Sequence, residues 1–305
     1  MSLVSIIMNC RNCAEFLQEA LDSVFQQTFK DYEIIFWDNM STDRSTEIAL
    51  NYGEPLRYFC GEEPLLLGAA RNEAIKKATG KYIAFLDCDD IWLPDNLEKQ
   101  VELLESNPEL GLTYSDCYLI DGEGKLKEDK RYHISSHKGK AFLNLLESNF
   151  IPMPTAMVRR AILDEVGMFN PKYEVIEEYD LWLRIAEHYS IGFTNKPLAK
   201  RRIHGANVSR NKEQSIGEQV QLLEYWINKK PELRKKHGAM INQKKTTFHI
   251  YLMRYYLSSH NKKRFAGEAI NLMRLFPYSL MILPKIIAEL RHTISYKYWN
   301  ISRKL

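Results

Sequence analysis

Three carboxylates leave one short apolar run within four residues, in Tyr82-Ile83-Ala84-Phe85-Leu86-Asp87-Cys88-Asp89-Asp90. Crowding acids at the end of a buried strand is unfavourable unless something positive sits among them. A hard divalent cation with oxygen ligands, Mn2+ or Mg2+, answers that need. Such a cation could also hold a diphosphate and stabilise it as it departs. The same acids could instead cap the helix that Pro94 opens, with no metal at all. Asp38 is a second acid at the end of an apolar run. A third acidic stretch, Glu177-Glu178-Tyr179-Asp180, puts Asp180 four residues before Arg184, the spacing of a helical ion pair.

The surrounding pattern says which elements carry these groups. Residues 3–8, 32–37, 56–60 and 81–86 are short apolar or β-branched runs suited to buried strands. Between them, residues 14–27, 41–52 and 68–79 have helical spacing, with Gly80 in the expected position just past the third helix. Proline opens a fourth helix over 94–106. This alternation predicts an α/β fold, a doubly wound, mainly parallel sheet with helices on both faces. Right-handed crossovers then bring Asp38 and Asp87 to the edge where ligands bind. Further on, strands are expected over 112–120, 155–158 and within 191–203, and a helix over 179–188. Residues 125–137 read as a charged surface loop. From Lys212 onward the pattern is helical and basic.

Several ordered motifs make residues 2–210 resemble the family 2 glycosyltransferases. They are Val4-Ser5-Ile6-Ile7 with Asn12, Leu21-Asp22-Ser23-Val24 with Gln27-Thr28, and Asp38-Asn39-Met40-Ser41-Thr42-Asp43. Gly68-Ala69-Ala70-Arg71-Asn72, the D-x-D of Asp87-Cys88-Asp89, Glu177-Glu178-Tyr179-Asp180-Leu181-Trp182 and Arg202-Ile203-His204 follow in the same order. The resemblance implies a GT-A fold and metal-dependent, inverting transfer from a nucleotide-sugar donor, with UDP the expected nucleotide. It implies donor contacts at Asn12, Asp38, Arg71, Asp87 and His204, and a cation on Asp89 and Asp87. Asp38 would accept the imide N–H of a uracil-like base, and the Arg71 guanidinium would bind two diphosphate oxygens. His204 would meet diphosphate or metal, although a lone histidine can equally be structural. The general base would be Glu178, with Asp180 and Glu177 as alternatives.

The chain departs from the family pattern at three places. The family usually has Glu-Asp where this chain has Glu177-Glu178, and the extra methylene moves the carboxylate by roughly 1.5 Å. The entry motif reads Asn9-Cys10-Arg11-Asn12 in place of Pro-Thr-Tyr-Asn, and Asn39-Met40 replace an Asp and a Gly.

Composition narrows the classes. The net charge of +3 indicates no nucleic-acid partner, but residues 1–210 carry −9 and residues 211–305 carry +12. The expected division is a GT-A domain over 1–210 and a basic, mainly helical region over 211–305. Residues 240–305 interleave Lys and Arg with aromatic and aliphatic residues, as a membrane-surface helix or a packed helical cap would. Five cysteines argue against a disulfide framework, and the N-terminus has no basic leader. The expected location is cytoplasmic, peripheral to the inner face of the cell membrane if the tail binds lipid. The acceptor would be a glycan or a polyisoprenoid-linked glycan of cell-surface polysaccharide synthesis, met by loops 121–150 and 170–178. A nucleotidyltransferase would need a glycine-rich phosphate loop, which residues 9–14 lack. A catalytically silent sugar-nucleotide-binding or scaffold protein is the alternative that the Glu178 departure leaves open.

Overall fold

The computed structural model describes residues 2–131, 136–205 and 211–275. The chain divides into two compact units, Met1–Arg210 and Asn211–Leu305. The first is built on one mixed sheet. Strands β1 (Val4–Cys10), β2 (Tyr32–Asp38), β3 (Leu56–Cys60) and β4 (Tyr82–Phe85) run parallel in the order β3-β2-β1-β4. Helices α1 (Ala14–Phe25), α2 (Ser45–Leu50) and α3 (Leu67–Ile75) make the crossovers. Because β1 lies between β2 and β4, the strand order reverses beside it. The crevice at the carboxyl ends of β1 and β4 is therefore the expected ligand position in such a sheet.

Beyond β4 the sheet becomes mixed. Strand β5 (Ile91–Trp92), helix α4 (Asn96–Ser106), strand β6 (Leu110–Ile120) and strand β7 (Leu126–Arg131) come next in the chain. Helix α5 (Phe142–Glu147), a 3-10 turn at Met153–Thr155, strand β8 (Met157–Arg159) and helix α6 (Arg160–Val166) follow. Helix α7 (Glu177–His188) and strand β9 (Ser190–Arg202) close the unit. Strand β8 joins β4 antiparallel, β6 pairs parallel with β9, and β5 adds antiparallel to β9. The long β6–β9 pair carries residues 199–202 back to the carboxyl end of β4, which is how a distant segment reaches the Asp87–Asp90 turn.

The core follows the alternation of the strands. Val4, Ile6, Met8 and Cys10 of β1 face Leu17, Leu21 and Val24 of α1, in one cluster with Tyr82, Leu97 and Leu104. Continuous burial along β2 and β4 explains why their sequences are apolar on both faces.

Several local expectations change. Residues 126–131 form β7, hairpinned onto β6, rather than a loop. Asp121 makes the turn by accepting from the N–H groups of Glu123 and Lys125, and Gly124 takes a positive φ of 80°. Helix α2 is shorter than 41–52 because its approach is spent on side-chain turns: Ser45 N–H bonds Asp43, and Ser41 N–H bonds Asp38. Gly80 does not cap α3, which ends at Ile75. It is needed for close approach, since a Cβ there would sit 2.6 Å from Ser5 N. The acids at 87, 89 and 90 do not cap a helix either. Helix α4 begins at Asn96, and no side chain caps it. The short β5 and the helices α5 and α6 had no counterpart in the sequence pattern.

The second unit contains α8 (Lys212–Lys229), α9 (Pro231–Ser258) and α10 (Lys262–Arg274). Leu222, Trp226, Phe248 and Met253 are buried in it, and the His249–Glu268 contact at 2.6 Å ties α9 to α10. No residue of α10 is buried, and Ile270 and Met273 are exposed. Among the described residues no helix is long and apolar enough to cross a membrane. The apolar stretch within 276–288, part of the expected membrane-facing tail, lies outside the described residues.

Candidate active site

The carboxylates of Asp87, Asp89 and Asp90 offer oxygens that all lie within 4.8 Å of one another, just beyond β4. They are not equivalent. Asp90 is buried, and its Oδ1 accepts the backbone N–H of Arg202 at 2.8 Å, which ties the turn to β9. Asp87 and Asp89 keep side-chain exposures of 33% and 19%, so a ligand can reach both. The ring of His204 meets Asp89 Oδ2 through Nε2 at 2.8 Å and packs against Phe16.

The electrostatics of this cluster fit a cation. Burial, and then the charge of Asp87, push the Asp89 carboxyl above its usual range, although His204 works against the shift. Asp90 is pushed well up by burial and by the charges of both neighbours. Burial first, and the neighbouring carboxylates second, hold these acids above their normal range. Asp87 and Asp89, with His204 beside them, are the groups that would hold a hard divalent ion.

Opposite this turn stands the N-terminus of α7. Glu177 is buried, and its Oε1 accepts from Arg71 Nη1 at 2.5 Å, while its Oε2 has no hydrogen-bond partner. Burial and the charge of Glu178 push the Glu177 carboxyl up to about 8. Glu178 is half-buried and accepts from Asn149 Nδ2 at 3.4 Å, and burial raises its carboxyl too. Asp180 is turned away into the pairing that its spacing suggests. Its Oδ2 accepts from Arg184 Nε at 2.8 Å, and the rest of that guanidinium binds the carbonyls of Val166, Gly167 and Met168.

Arg71 is not the surface arginine that a helix position would suggest by default. Its side chain is 4% exposed, with Asp87 at 2.6 Å on one arm and Glu177 on the other. Asp38 is buried as well. Its Oδ1 accepts from Ser41 N–H, and its Oδ2 from Thr46 and Tyr58 hydroxyls at 2.6 and 2.8 Å. Burial alone would raise its carboxyl, but these bonds hold it below the usual range. Asn12, at a positive φ of 55°, accepts from Thr42 N–H at 2.7 Å and joins the loops that follow β1 and β2.

Three features were given no role by the sequence. Arg202 donates from Nε to Asp89 O at 2.9 Å, and its guanidinium lies over Phe16 at 4.7 Å. The Arg-x-His spacing was the available signal for it. Asn149 is a loop residue with no motif around it. Asn9 and Trp37 are register partners on β1 and β2, and both keep buried polar atoms without a partner: the whole Asn9 amide and the Trp37 indole N–H. Their place at the strand ends leaves donors and an acceptor for a ligand.

Comparison with known proteins gives the family and the fold. The family model described as Glycosyl transferase family 2 matches residues 5–167. An uncharacterized glycosyltransferase of Methanocaldococcus jannaschii is 36% identical over 239 residues, 75% of this chain and 81% of that protein. The Escherichia coli protein WfaP, a UDP-Glc:alpha-D-GlcNAc-diphosphoundecaprenol beta-1,3-glucosyltransferase, is 32% identical over 231 residues, 73% of this chain and 86% of its own length. Among solved structures, residues 1–349 of S. aureus TarS in complex with UDP-GlcNAc superpose with TM-score 0.59 at 16% identity, covering 88% of this chain and 90% of that one. The mannosyltransferase PcManGT from Pyrobaculum calidifontis, in complex with GDP-Man and Mn2+, gives TM-score 0.63 at 17% identity over 97% and 82% of the two chains. The fold is that of the GT-A glycosyltransferases, and with a family match across more than half of its length the chain belongs to glycosyl transferase family 2.

Proposed function

We propose that this glycosyltransferase moves a sugar, with inversion, from a UDP-linked donor to a hydroxyl of a lipid-linked glycan. The observation that carries the reading is that Arg71 joins Asp87, in the acidic turn with Asp89 and His204, to Glu177, the residue before Glu178 on α7. WfaP acts on a diphosphoundecaprenol-linked GlcNAc with UDP-Glc, which supports both halves of the assignment. Surface polysaccharide assembly is the setting that uses such acceptors.

The residues divide the work. Asp89 and Asp87 would hold Mn2+ or Mg2+, which supplies charge stabilisation for the departing diphosphate. His204 orients Asp89 and lies where it can also meet a phosphate oxygen. The nucleotide base would lie at the ends of β1 and β2, where Asn12 and Asp38 shape the loops and the Asn9 amide and Trp37 N–H await partners. Asp38, kept as a carboxylate by Ser41, Thr46 and Tyr58, would accept the imide N–H of the base. Glu178 takes the proton from the acceptor hydroxyl as its oxygen attacks the anomeric carbon opposite the diphosphate. Burial raises its carboxyl, which makes it a stronger base than an exposed glutamate. Arg71 reaches the donor through Asp87. Residues 240–305 would bring the enzyme to an anionic membrane surface at the cytoplasmic face, with exposed Tyr251, Tyr255, Ile270 and Met273 among basic residues.

A binding screen of UDP-, GDP- and dTDP-sugars with and without Mn2+ or Mg2+ tests the donor half. Transfer from the selected donor to a GlcNAc-diphospho-lipid tests the acceptor half. Metal-independent binding, or binding of GDP-sugars alone, removes the donor assignment; donor binding without any transfer favours a silent sugar-nucleotide-binding protein. Sedimentation with anionic and neutral liposomes tests the tail, and equal binding to both would leave it a helical cap.

A further inference from the structure

We propose that Glu177 is a positioning residue, acting through Arg71 to hold the strand end that bears Asp87 and the helix end that bears Glu178 as one unit. The inference rests on the reading of Glu178 as the base.

Three elements meet at the Arg71 guanidinium. Arg71 itself stands on α3, Asp87 follows β4, and Glu177 is the first residue of α7. The two outer arms of the fork are divided between the acids: Nη2 to Asp87 at 2.6 Å and Nη1 to Glu177 at 2.5 Å. A planar guanidinium with two fixed partners sets both the distance and the angle between them, which a lysine cannot do. The partners are 16 and 106 residues away in the chain, so the bridge spans segments with no local reason to keep register.

The surroundings are shaped for this bridge. Phe169 lies against the guanidinium at 5.5 Å. Asn72, the next residue of α3, grips the Phe169 backbone from both sides, donating to its O at 2.8 Å and accepting from its N–H at 2.9 Å. A Cβ at Gly68 would come within 3.3 Å of the Glu177 side chain, so the glutamate stem lies directly on the α3 backbone. Glu177 is therefore clamped between α3 and the fork, and its neighbour Glu178 inherits that placement across a single peptide link. One Glu177 oxygen is left buried and unpartnered. That arrangement is unfavourable unless the other oxygen has a strong partner, which Arg71 supplies.

Arg71 and Asp87 also supply the connection to the cation. An Asp87 carboxylate held by Arg71 on Oδ1 presents its second oxygen in one direction. Loss of the fork frees Asp87, whereas loss of the Glu177 charge leaves Asp87 held and loosens only the α7 end. The two substitutions should then differ in kind. Glu177→Gln should lower kcat by about 10-fold to 100-fold, with Mn2+-dependent UDP affinity and acceptor KM within about twofold of the parent. Arg71→Lys should lower both kcat and Mn2+-dependent UDP affinity by about 10-fold or more. The double variant should be no slower than Arg71→Lys alone, because Glu177 acts only through the fork.

The measurements are calorimetric titration of UDP with Mn2+, steady-state transfer and thermal midpoints on the full chain. Wild-type kcat in Glu177→Gln, or losses that multiply in the double variant, would overturn the bridge. A loss in Glu177→Gln as large as that in Glu178→Gln would make Glu177 a reacting group and also overturn it. If Glu178→Gln keeps full transfer, the base reading fails by itself, and the UDP–Mn2+ titration of Arg71→Lys still decides the Asp87 arm. Should Arg71→Lys not fold, the isosteric Glu177→Gln decides alone.

Discussion

The Asp87–Asp90 turn and the first turn of α7 carry the same chemistry in the sequence, three acids within four residues each, yet the structure treats them in opposite ways. On α7 the acids are divided among protein partners: Glu177 goes to Arg71, Asp180 goes to Arg184, and Glu178 keeps only a long contact with Asn149. In the β4 turn the three carboxylates converge on one another within 4.8 Å, and Asp89 and Asp90 are held protonation-prone. The first arrangement gives two acids an arginine each and leaves Glu178 without one. The second concentrates negative charge at one point. A single base needs the former, and a divalent cation needs the latter. What distinguishes them is how close the carboxylates stand to one another, not the number of acids.

The sharpest way to break this comparison is to remove the acid that has no arginine. Glu178→Gln should cost about 10² to 10⁴-fold in transfer while UDP affinity stays near the parent's, read from turnover and from UDP titration. Transfer at the wild-type rate would place the base elsewhere. In the other cluster, Asp89→Asn should remove the Mn2+ dependence of UDP binding, and His204→Ala should weaken it by about 10-fold to 100-fold by releasing Asp89. Unchanged metal dependence in both would show that the converging acids hold no cation.

The pH dependence tests the charge imbalance without any substitution. Asp89, Asp90, Glu177 and Glu178 all have carboxyls raised in the folded chain, Glu177 to about 8. Their contribution to stability is fully present below the unfolded carboxylate value of roughly 4 and is lost as pH rises through the raised values. A cation that binds the folded cluster offsets part of this loss. The rise in thermal midpoint on adding Mn2+ should therefore be larger at about pH 8 than at about pH 5.5. An equal rise at both would mean that the acids are not the ion's ligands.

The smallest effect should come from the acid that the structure removes from the crevice. Asp180→Asn should leave transfer within a few-fold and lower stability by about 1–3 kcal/mol, by unpairing a buried charge-assisted bond. An exposed helical pair would be worth only about 0.2–0.5 kcal/mol. The larger figure follows from burial, and a thermal melt distinguishes the two. Loss of transfer with a normal melt would instead make Asp180 the base.

Much of this was legible in the residues alone. The alternation of apolar runs and helical spacing over residues 3–106 determined a parallel-rich sheet, because strands buried on both faces must be apolar throughout and crossover helices must be amphipathic. The Asp87–Asp90 cluster and the Asp180–Arg184 spacing were visible for the same kind of reason, since each depends on neighbours in the chain. Local pattern failed where pairing is remote. Residues 126–131 read as a charged loop because an edge hairpin needs no apolar alternation when its partner β6 supplies the pairing. Gly80 read as a helix end, although its contact is with Ser5, 75 residues away.

The tertiary structure alone decided which partners each acid has. No spacing rule joins Arg71 to Glu177 or Arg202 to Asp89, separated by 106 and 113 residues. These contacts exist because β9 pairs with β5, directly after the Asp87–Asp90 turn, and α7 packs its first turn on α3. Sequence determines which groups can ionise, bind or accept a proton. Burial and the placement of countercharges determine which of them do so at a given pH, and both are properties of the folded chain.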